Sequence, residues 1–107
     1  MSQVITSTIS DKMADYYQEW EDTFGIGPCG AFAALKREQG WGEIAVCTAS
    51  DEIGSFPHYV IWDAGIIDLT NPFDHELTYT DIEILDADEM PEAVNGAMLT
   101  WLRDRGI

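Results

Sequence analysis

The chain has 107 residues, 46% of them hydrophobic and with four each of Trp, Tyr and Phe, which is enough apolar material for one packed domain spanning residues 1–107. Twenty acidic residues against five basic ones give a formal net charge of −15. That charge excludes direct binding to nucleic acid or to an anionic membrane, because the long-range field would oppose it. The longest apolar runs, such as Tyr59 to Trp62, are too short to cross a bilayer.

The N-terminal ten residues contain no basic segment followed by a long apolar one, so we expect no signal peptide and a cytoplasmic location. In that compartment Cys29 and Cys47 are expected to stay reduced. The chain has no CxxC or HxxxH pattern, and His58 and His75 are irregularly spaced relative to the cysteines. We therefore expect neither a metal nor a cofactor.

Two helices are predicted in the first forty residues. The first begins near Asp11 with Ser10 as its N-cap, and its apolar positions follow helical spacing: Met13, Tyr16, Tyr17, Trp20 and Phe24. Three glycines and a proline in residues 24–30 then require a turn. The second helix runs through residues 31–39, and Gly40 is suited to the position just after its end.

Four strands are predicted next, at residues 43–48, 57–62, 66–70 and 79–85. Residues 1–9 are polar or β-branched and suit an arm or an edge strand. The clearest hairpin signal is Asp63-Ala64-Gly65, between the second and third strands.

The C-terminal segment is predicted to be a helix with Pro91 in its first turn and Gly106 past its end. Its apolar face comprises Val94, Ala97, Met98, Trp101 and Leu102. Because the strands follow one another through short connections, we expect an α+β fold in which N-terminal helices and this C-terminal helix pack on a mostly antiparallel four-stranded sheet.

Cys29 lies at the predicted start of the second helix, between Pro28 and Gly30. Unpaired amides and the positive end of the helix dipole stabilise a thiolate at such a position, and the same amides can bind an oxyanion. Most free cysteines are simply small buried hydrophobic residues. Cys47, inside a predicted strand, fits that description, whereas the position of Cys29 favours a functional role.

A nucleophilic cysteine requires a base and a group that orients the base. His58 opens the predicted hairpin, and the strand register decides which side chain can reach it. A three-residue loop at 63–65 places Asp68 on the same face as His58, as a diagonal neighbour roughly 7–8 Å away at the backbone. A two-residue turn instead places Asn71 opposite His58.

The loop residues favour the three-residue alternative, which pairs Trp62 with Ile66. Asp63 and Ala64 suit a type I turn, and Gly65 suits a following left-handed position. Asp68 is therefore our first choice as the orienting residue, and Asn71 is the alternative.

The remaining polar segments are rich in acids. His75 lies in an acidic loop, where a solvated histidine is expected, and residues 81–92 carry six acids in twelve positions without the glycine and glutamate spacing of a calcium loop. The charge itself has three interpretations: a solvated surface, a decoy presented to a basic nucleic-acid-binding protein, or selection for cationic substrates and partners.

Three segments together resemble the transglutaminase-like branch of the papain-like cysteine peptidase superfamily. They are GPCGAFAALKREQGW around Cys29, PHYVIWDAG around His58 and IIDLTNP around Asp68. The family pattern has a helix-capping Cys, then a strand His, then an Asp on the next strand. The resemblance implies a papain-like or transglutaminase-like core.

The resemblance also implies roles for the matched residues. Cys29 would be the nucleophile, His58 the general base and then acid, and Asp68 the residue that orients the imidazole. The backbone amide of Cys29 would donate to the oxyanion, and a side chain upstream would supply the second donor, for which Gln18 and Trp20 are candidates. If Asn71 took the place of Asp68, the set would be of the papain Cys-His-Asn type.

The function expected from this set is thiol-dependent hydrolysis of an amide, or transfer of its acyl group to an amine, on a protein or peptide substrate, with a basic one suited to the charge. The leading alternative is a non-enzymatic acidic inhibitor, or DNA mimic, that binds a basic host or defence protein. A third is a pseudoenzyme. The chain is shorter than most family members, which suits either a trimmed catalytic core or a binding module.

Overall fold

Two helices, a curled antiparallel sheet and a final helix follow one another along the chain. The computed structural model describes residues 4–5, 9–68 and 77–107. Its helices are α1 (Ile9–Phe24), α2 (Cys29–Glu38) and α3 (Gly96–Asp104). Its strands are β1 (Val4–Ile5), β2 (Glu43–Ser50), β3 (Ser55–Trp62), β4 (Ile66–Ile67) and β5 (Thr78–Ile84).

The predicted α+β class is confirmed, with two N-terminal helices, an antiparallel four-stranded sheet and a C-terminal helix. The strand order is β1-β4-β3-β2-β5, and β2 to β5 pair antiparallel as a half-barrel. The expected edge strand is found at Val4–Ile5, where β1 pairs parallel to β4. No helix in the described ranges is long and apolar enough to cross a membrane.

The β3–β4 hairpin has the predicted register but a different turn. Trp62 pairs with Ile66, so the loop has three residues, and Gly65 has the expected positive φ of 154°. The predicted type I turn is wrong, because Ala64 has a φ of 54°, which a type I turn does not contain.

The ends of two helices also differ from the prediction. The helix α1 begins at Ile9, so Ser10 lies inside it rather than capping it. Pro91 precedes α3 instead of lying in its first turn, because Ala93 has a φ of 66° that a helix cannot contain. The actual N-cap is Asn95, whose Oδ1 accepts a hydrogen bond of 3.1 Å from the Met98 amide.

Apolar side chains fill both faces of the sheet. On the helix face, Ala33 and Ala34 of α2 pack against Ile44 and Ile61. The three helices pack on one another around Trp20, which is fully buried. The opposite face of the sheet has its own buried cluster: Ala45, Cys47, Ala49, Val60, Ile66 and Tyr79. His58 and Val60 alternate with Tyr59 and Ile61 along β3, so His58 belongs to this opposite face.

The connection from α2 to β2 depends on one glycine. Gly42 has a φ of 151°, and a Cβ added there would lie 2.5 Å from the carbonyl oxygen of Trp62. Both the backbone conformation and the close approach therefore require glycine. Because Trp62 ends β3, this contact sets β2 against the strand that carries His58.

We expect Gly42→Ala to lower the free energy of unfolding by about 2 kcal/mol or more, since it combines a strained φ with a steric clash. Gly54→Ala is the matched control, because its Cβ would meet no heavy atom within 4 Å and its φ is not positive. Urea denaturation of both variants measures the difference. Equal loss of stability in the two variants would contradict the role assigned to Gly42.

Candidate active site

Cys29 is the first residue of α2, as predicted, and its side chain is half-buried. Pro28 occupies the N-cap position and makes no side-chain capping bond, so no capping side chain competes for the first amides of the helix. Gly30 is buried beneath Pro91 and Val94, either of which would lie 3.2 Å from an added Cβ. The segment before α3 therefore closes over the helix N-terminus, where only a small residue fits.

His58 and Asp68 meet on the face opposite the helices. The three-residue loop brings them together as expected: His58 Nε2 lies 3.0 Å from both Asp68 Oδ1 and Oδ2. His58 is 7% exposed and Asp68 is 0% exposed, so the pair is shielded from solvent. A shielded charge pair of this kind is held in a fixed geometry.

Cys29 approaches His58 along the side of β3 that faces away from β2, and Pro57 identifies that side. Proline has no N–H, so Pro57 occupies a position of β3 whose backbone does not donate to β2. Tyr59, two residues further, has its backbone turned the same way, toward the edge where the short β4 pairs with the end of β3. Its amide donates to the Cys29 sulfur, as does the amide of Gly30. The thiol is therefore held at the side of β3 that faces away from β2.

The Cys29 thiol is also hydrogen-bonded to the His58 imidazole. Because Nε2 faces Asp68, Nδ1 is the ring nitrogen left for the thiol. Cys29, His58 and Asp68 thus form one continuous chain of hydrogen bonds across α2, β3 and the end of β4.

These hydrogen bonds change the charge states of Cys29 and His58. Burial alone would raise the pKa of the Cys29 thiol, but His58 and the backbone amides outweigh it and lower the pKa below the ordinary value. Burial alone would lower the pKa of His58, but hydrogen bonds and charges from Asp68 and Cys29 outweigh it and raise the pKa to about 10. Both shifts favour a thiolate beside an imidazolium.

The cavity beside the thiol is apolar, and Tyr59, one of the residues that line it, also borders an acidic groove. A cavity of about 10 Å³ beside Cys29 is lined by apolar groups, including Phe32 and Ile61, and has room for one water at most. Tyr59 lines this cavity and also a groove of about 290 Å³. The groove is lined by Val46, Tyr59, Glu83, Ile84, Leu85, Glu89, Met90 and Glu92.

Arg37 holds the acidic segment that walls this groove. Its guanidinium donates to the carbonyl oxygens of Asp86 and Glu89 at 3.2 and 2.7 Å. The Glu92 amide donates to the Tyr59 hydroxyl at 3.3 Å. The groove wall is therefore tied both to α2 and to β3.

The two candidate oxyanion donors each hydrogen-bond to a neighbour on or beside α1. Trp20 Nε1 donates to the Ile26 carbonyl at 2.8 Å, and the indole is fully buried in the core. Gln18 is exposed and donates to Asp22 one turn along α1. Tyr17 of α1 lies near enough to the site for the charge of Cys29 to act on it: burial, Glu21 and that charge together raise the pKa of Tyr17. Helical spacing alone does not distinguish these neighbouring residues of α1.

Tyr79 contacts Asp68, and the sequence did not indicate this contact. Its hydroxyl donates to Asp68 Oδ2 at 2.5 Å. Burial, the hydrogen bond to Asp68 and the negative charge of Asp68 raise the pKa of Tyr79 well above its ordinary value. The residue lies at the start of a predicted strand, where a tyrosine is common for packing reasons alone.

Of the sequence candidates that remain, Cys47 is the one among the described residues. Cys47 is buried opposite His58, its thiol donates to the His58 carbonyl at 3.6 Å, and burial raises its pKa to about 11. Asn71 and His75 lie outside the described residues. Within the described ranges, no group of three or more His, Cys, Asp or Glu side chains is arranged to hold a metal ion.

A comparison of the chain with protein-family profiles, curated proteins and solved structures gives no match in any of the three.

Proposed function

We propose that the protein is a thiol-dependent amide hydrolase or acyltransferase with Cys29, His58 and Asp68 as its triad. The observation that carries the proposal is the continuous hydrogen-bond chain from the half-exposed sulfur to the fully buried carboxylate. A thiolate at a helix N-terminus, a histidine in contact with it and a carboxylate behind the histidine are the groups that acyl transfer to sulfur requires.

In the proposed reaction the Cys29 thiolate attacks the amide carbonyl carbon, and the carbonyl oxygen takes the negative charge. The amides at the start of α2 stabilise that oxyanion. The C–N bond then breaks as the His58 imidazolium gives its proton to the leaving amine, leaving a thioester on Cys29. Neutral His58 next takes a proton from water, or from an acceptor amine, which attacks the thioester and regenerates the thiolate.

The finer fold that we propose is a papain-like or transglutaminase-like core. Its support is the order of the elements: the cysteine begins a helix, the histidine lies on a later strand, and the aspartate ends the next strand. Cys29, His58 and Asp68 occupy these positions within a small antiparallel half-barrel. In this chain the interval from the cysteine to the aspartate is spanned by a single helix and three strands.

We propose a protein or peptide substrate with basic side chains. The net charge of −15 attracts cations at long range, and the groove beside Tyr59 combines Glu83, Glu89 and Glu92 with apolar walls. Such a lining suits the aliphatic stem and charged head of lysine or arginine.

Iodoacetamide should alkylate Cys29 rapidly at pH values below the ordinary thiol range, because His58 and two backbone amides stabilise the thiolate. Cys47 should stay unmodified in the folded protein, since it is buried and its pKa is raised to about 11. Peptide mass spectrometry of samples quenched across pH measures both rates.

In His58→Ala, alkylation of Cys29 should slow by about tenfold or more near neutral pH, as expected for a pKa rise of at least one unit. Phe56→Leu is the control, because the Phe56 ring packs edge-on against the His58 ring, with 5.6 Å between the ring centroids, and supplies no polar group to the thiol. An ordinary cysteine profile in the wild type would exclude the proposed nucleophile.

Turnover can be measured without knowing the natural substrate. Lysine-rich peptides that contain glutamine, with and without a fluorescent primary amine, should yield hydrolysed or amine-labelled product with the wild type and none with Cys29→Ala. A thioester adduct on Cys29 should accumulate in the wild type at low pH, because protonation of His58 removes the base that the second step needs. Enhanced thiol reactivity with no adduct and no product would identify a pseudoenzyme.

A second candidate function is an acidic inhibitor, or DNA mimic, of a basic protein. The observation that favours it is the exposure of all six acids in residues 81–92, which are Asp81, Glu83, Asp86, Asp88, Glu89 and Glu92. A mimic should bind DNA-binding proteins with an affinity that falls steeply with salt, because its contacts are charge pairs at the surface.

The two functions separate in one binding experiment. A mimic should keep its partner in Cys29→Ala and lose it when acids of residues 81–92 become Asn or Gln. An enzyme should instead lose all turnover in Cys29→Ala, and neutralising Glu83, Glu89 and Glu92 should only weaken its binding of a basic peptide. Isothermal titration at two salt concentrations, beside the peptide assay above, distinguishes them.

A further inference from the structure

Tyr79 and Asp68 form a buried contact beneath the candidate triad. The Tyr79 side chain is 6% exposed and Asp68 is 0% exposed. The hydroxyl donates to Asp68 Oδ2 at 2.5 Å, and the same oxygen lies 3.0 Å from His58 Nε2. Oδ2 is therefore bonded by both Tyr79 and His58, while Oδ1 faces His58 as well.

A β-bulge places Tyr79 on this face of the sheet. At one end of β5, Ile84 pairs with Ala45, and at the other end Tyr79 pairs with Ala49. Five residue steps on β5 thus face four steps on β2, and the register shift lies between Val46 and Thr48. An uninterrupted strand would pair Tyr79 with Ser50 and turn its side chain to the helix face.

The backbone is strained at the bulge. Asp81 has a φ of 55°, a conformation that costs a residue with a Cβ free energy, although Asp and Asn tolerate it better than most. A regular β5 would avoid that cost and leave Asp68 without the Tyr79 hydroxyl. Bulges beside active sites commonly re-aim a side chain in this way.

We propose that Tyr79 is a positioning residue of the triad, which fixes the Asp68 carboxylate so that both its oxygens face His58 Nε2. This inference rests on the proposed thiol-enzyme function. Tyr79 touches neither the thiol nor the reacting atoms, and it acts through Asp68 on His58. Among the described residues, the titratable groups around the His58–Asp68 pair come from three elements: Cys29 of α2, Cys47 of β2 and Tyr79 of β5.

The Tyr79 phenol can hold the Asp68 carboxylate over the whole pH range in which the site is active. Its raised pKa keeps it neutral and donating wherever the thiolate–imidazolium pair exists. A tyrosine is also rigid, with two side-chain torsions, and its ring packs in the cluster that contains Val60 and Ile66. It therefore holds the carboxylate without adding a second charge to the buried site.

The experiment follows Cys29 alkylation by iodoacetamide from pH 4 to 11 in the wild type, in Tyr79→Phe and in Tyr16→Phe. Tyr16→Phe is the matched loss of a tyrosine hydroxyl, on α1 against Trp101. In Tyr79→Phe the carboxylate should turn and loosen its hold on His58. The pH of thiolate formation should then rise, and the pH of His58 deprotonation should fall, each by about one unit.

Tyr16→Phe should leave the profile unchanged. Suppose that the wild type shows enhanced Cys29 reactivity and that Tyr79→Phe folds and gives the same pH profile of alkylation. Tyr79 is then a packing residue and this inference is wrong, while the proposed function stands. If the wild type itself shows an ordinary cysteine profile, the proposed function fails first.

A measurement on the wild type covers the case in which Tyr79→Phe does not fold. A hydroxyl proton held between Tyr79 and Asp68 should give a slowly exchanging downfield proton resonance, assigned by its contacts to the Tyr79 ring protons. The same proton should disappear, or move upfield, in Asp68→Asn. Rapid exchange of the Tyr79 hydroxyl in the wild type would overturn the inference without any variant at position 79.

Discussion

The buried carboxylate of Asp68 is the constraint on which the site depends. An unpaired charge in a protein interior costs several kcal/mol or more, so a fully buried aspartate must receive hydrogen bonds from the fold around it. His58 and Tyr79 donate to it from β3 and β5, which lie on either side of β2. The hairpin register and the β5 bulge are both needed to bring those two donors to one carboxylate.

The same carboxylate sets the charge state of the thiol. An acidic protein opposes a thiolate and favours an imidazolium, because its field raises the pKa of both groups. The thiolate therefore depends on short-range donors, which are His58 and the amides of Tyr59 and Gly30. Asp68 keeps His58 protonated, and protonated His58 keeps Cys29 deprotonated. Removing the carboxylate would lower the pKa of His58, and the loss of the imidazolium would in turn raise the pKa of the Cys29 thiol.

Local chemistry explains which parts of this arrangement the sequence predicts. Gly27 and Pro28 mark a turn before an apolar helix, so the place of Cys29 follows from adjacent residues. The three-residue loop follows from Asp63-Ala64-Gly65, and with it the pairing of His58 with Asp68. The turn conformation did not follow, because Ala64 takes a positive φ that its own chemistry disfavours.

The parts that the sequence does not predict depend on contacts between distant segments. A bulge leaves no mark in an alternating pattern as short as that of β5, so the side on which Tyr79 emerges is settled only by pairing with β2. Trp20 and Tyr17 lie on the same apolar stripe, and only the packing of α1 on its neighbours decides that the indole donates to the Ile26 carbonyl while the charge of Cys29 acts on the phenol. Helical spacing places both on one stripe and cannot separate them.

The cost of the buried network bears on the choice between an enzyme and an acidic binder. A surface that only mimics nucleic acid needs exposed carboxylates, and apolar side chains at positions 58, 68 and 79 would serve its core at least as well. Buried ionic groups are often no more stabilising than hydrophobic ones of similar volume. A chain of 107 residues has little core to spare, yet it sets an aspartate, a histidine and a tyrosine behind a half-exposed thiol and accepts a strained Asp81 to do so. Stability gives no reason for that arrangement, whereas the proposed role of Cys29 as a nucleophile does.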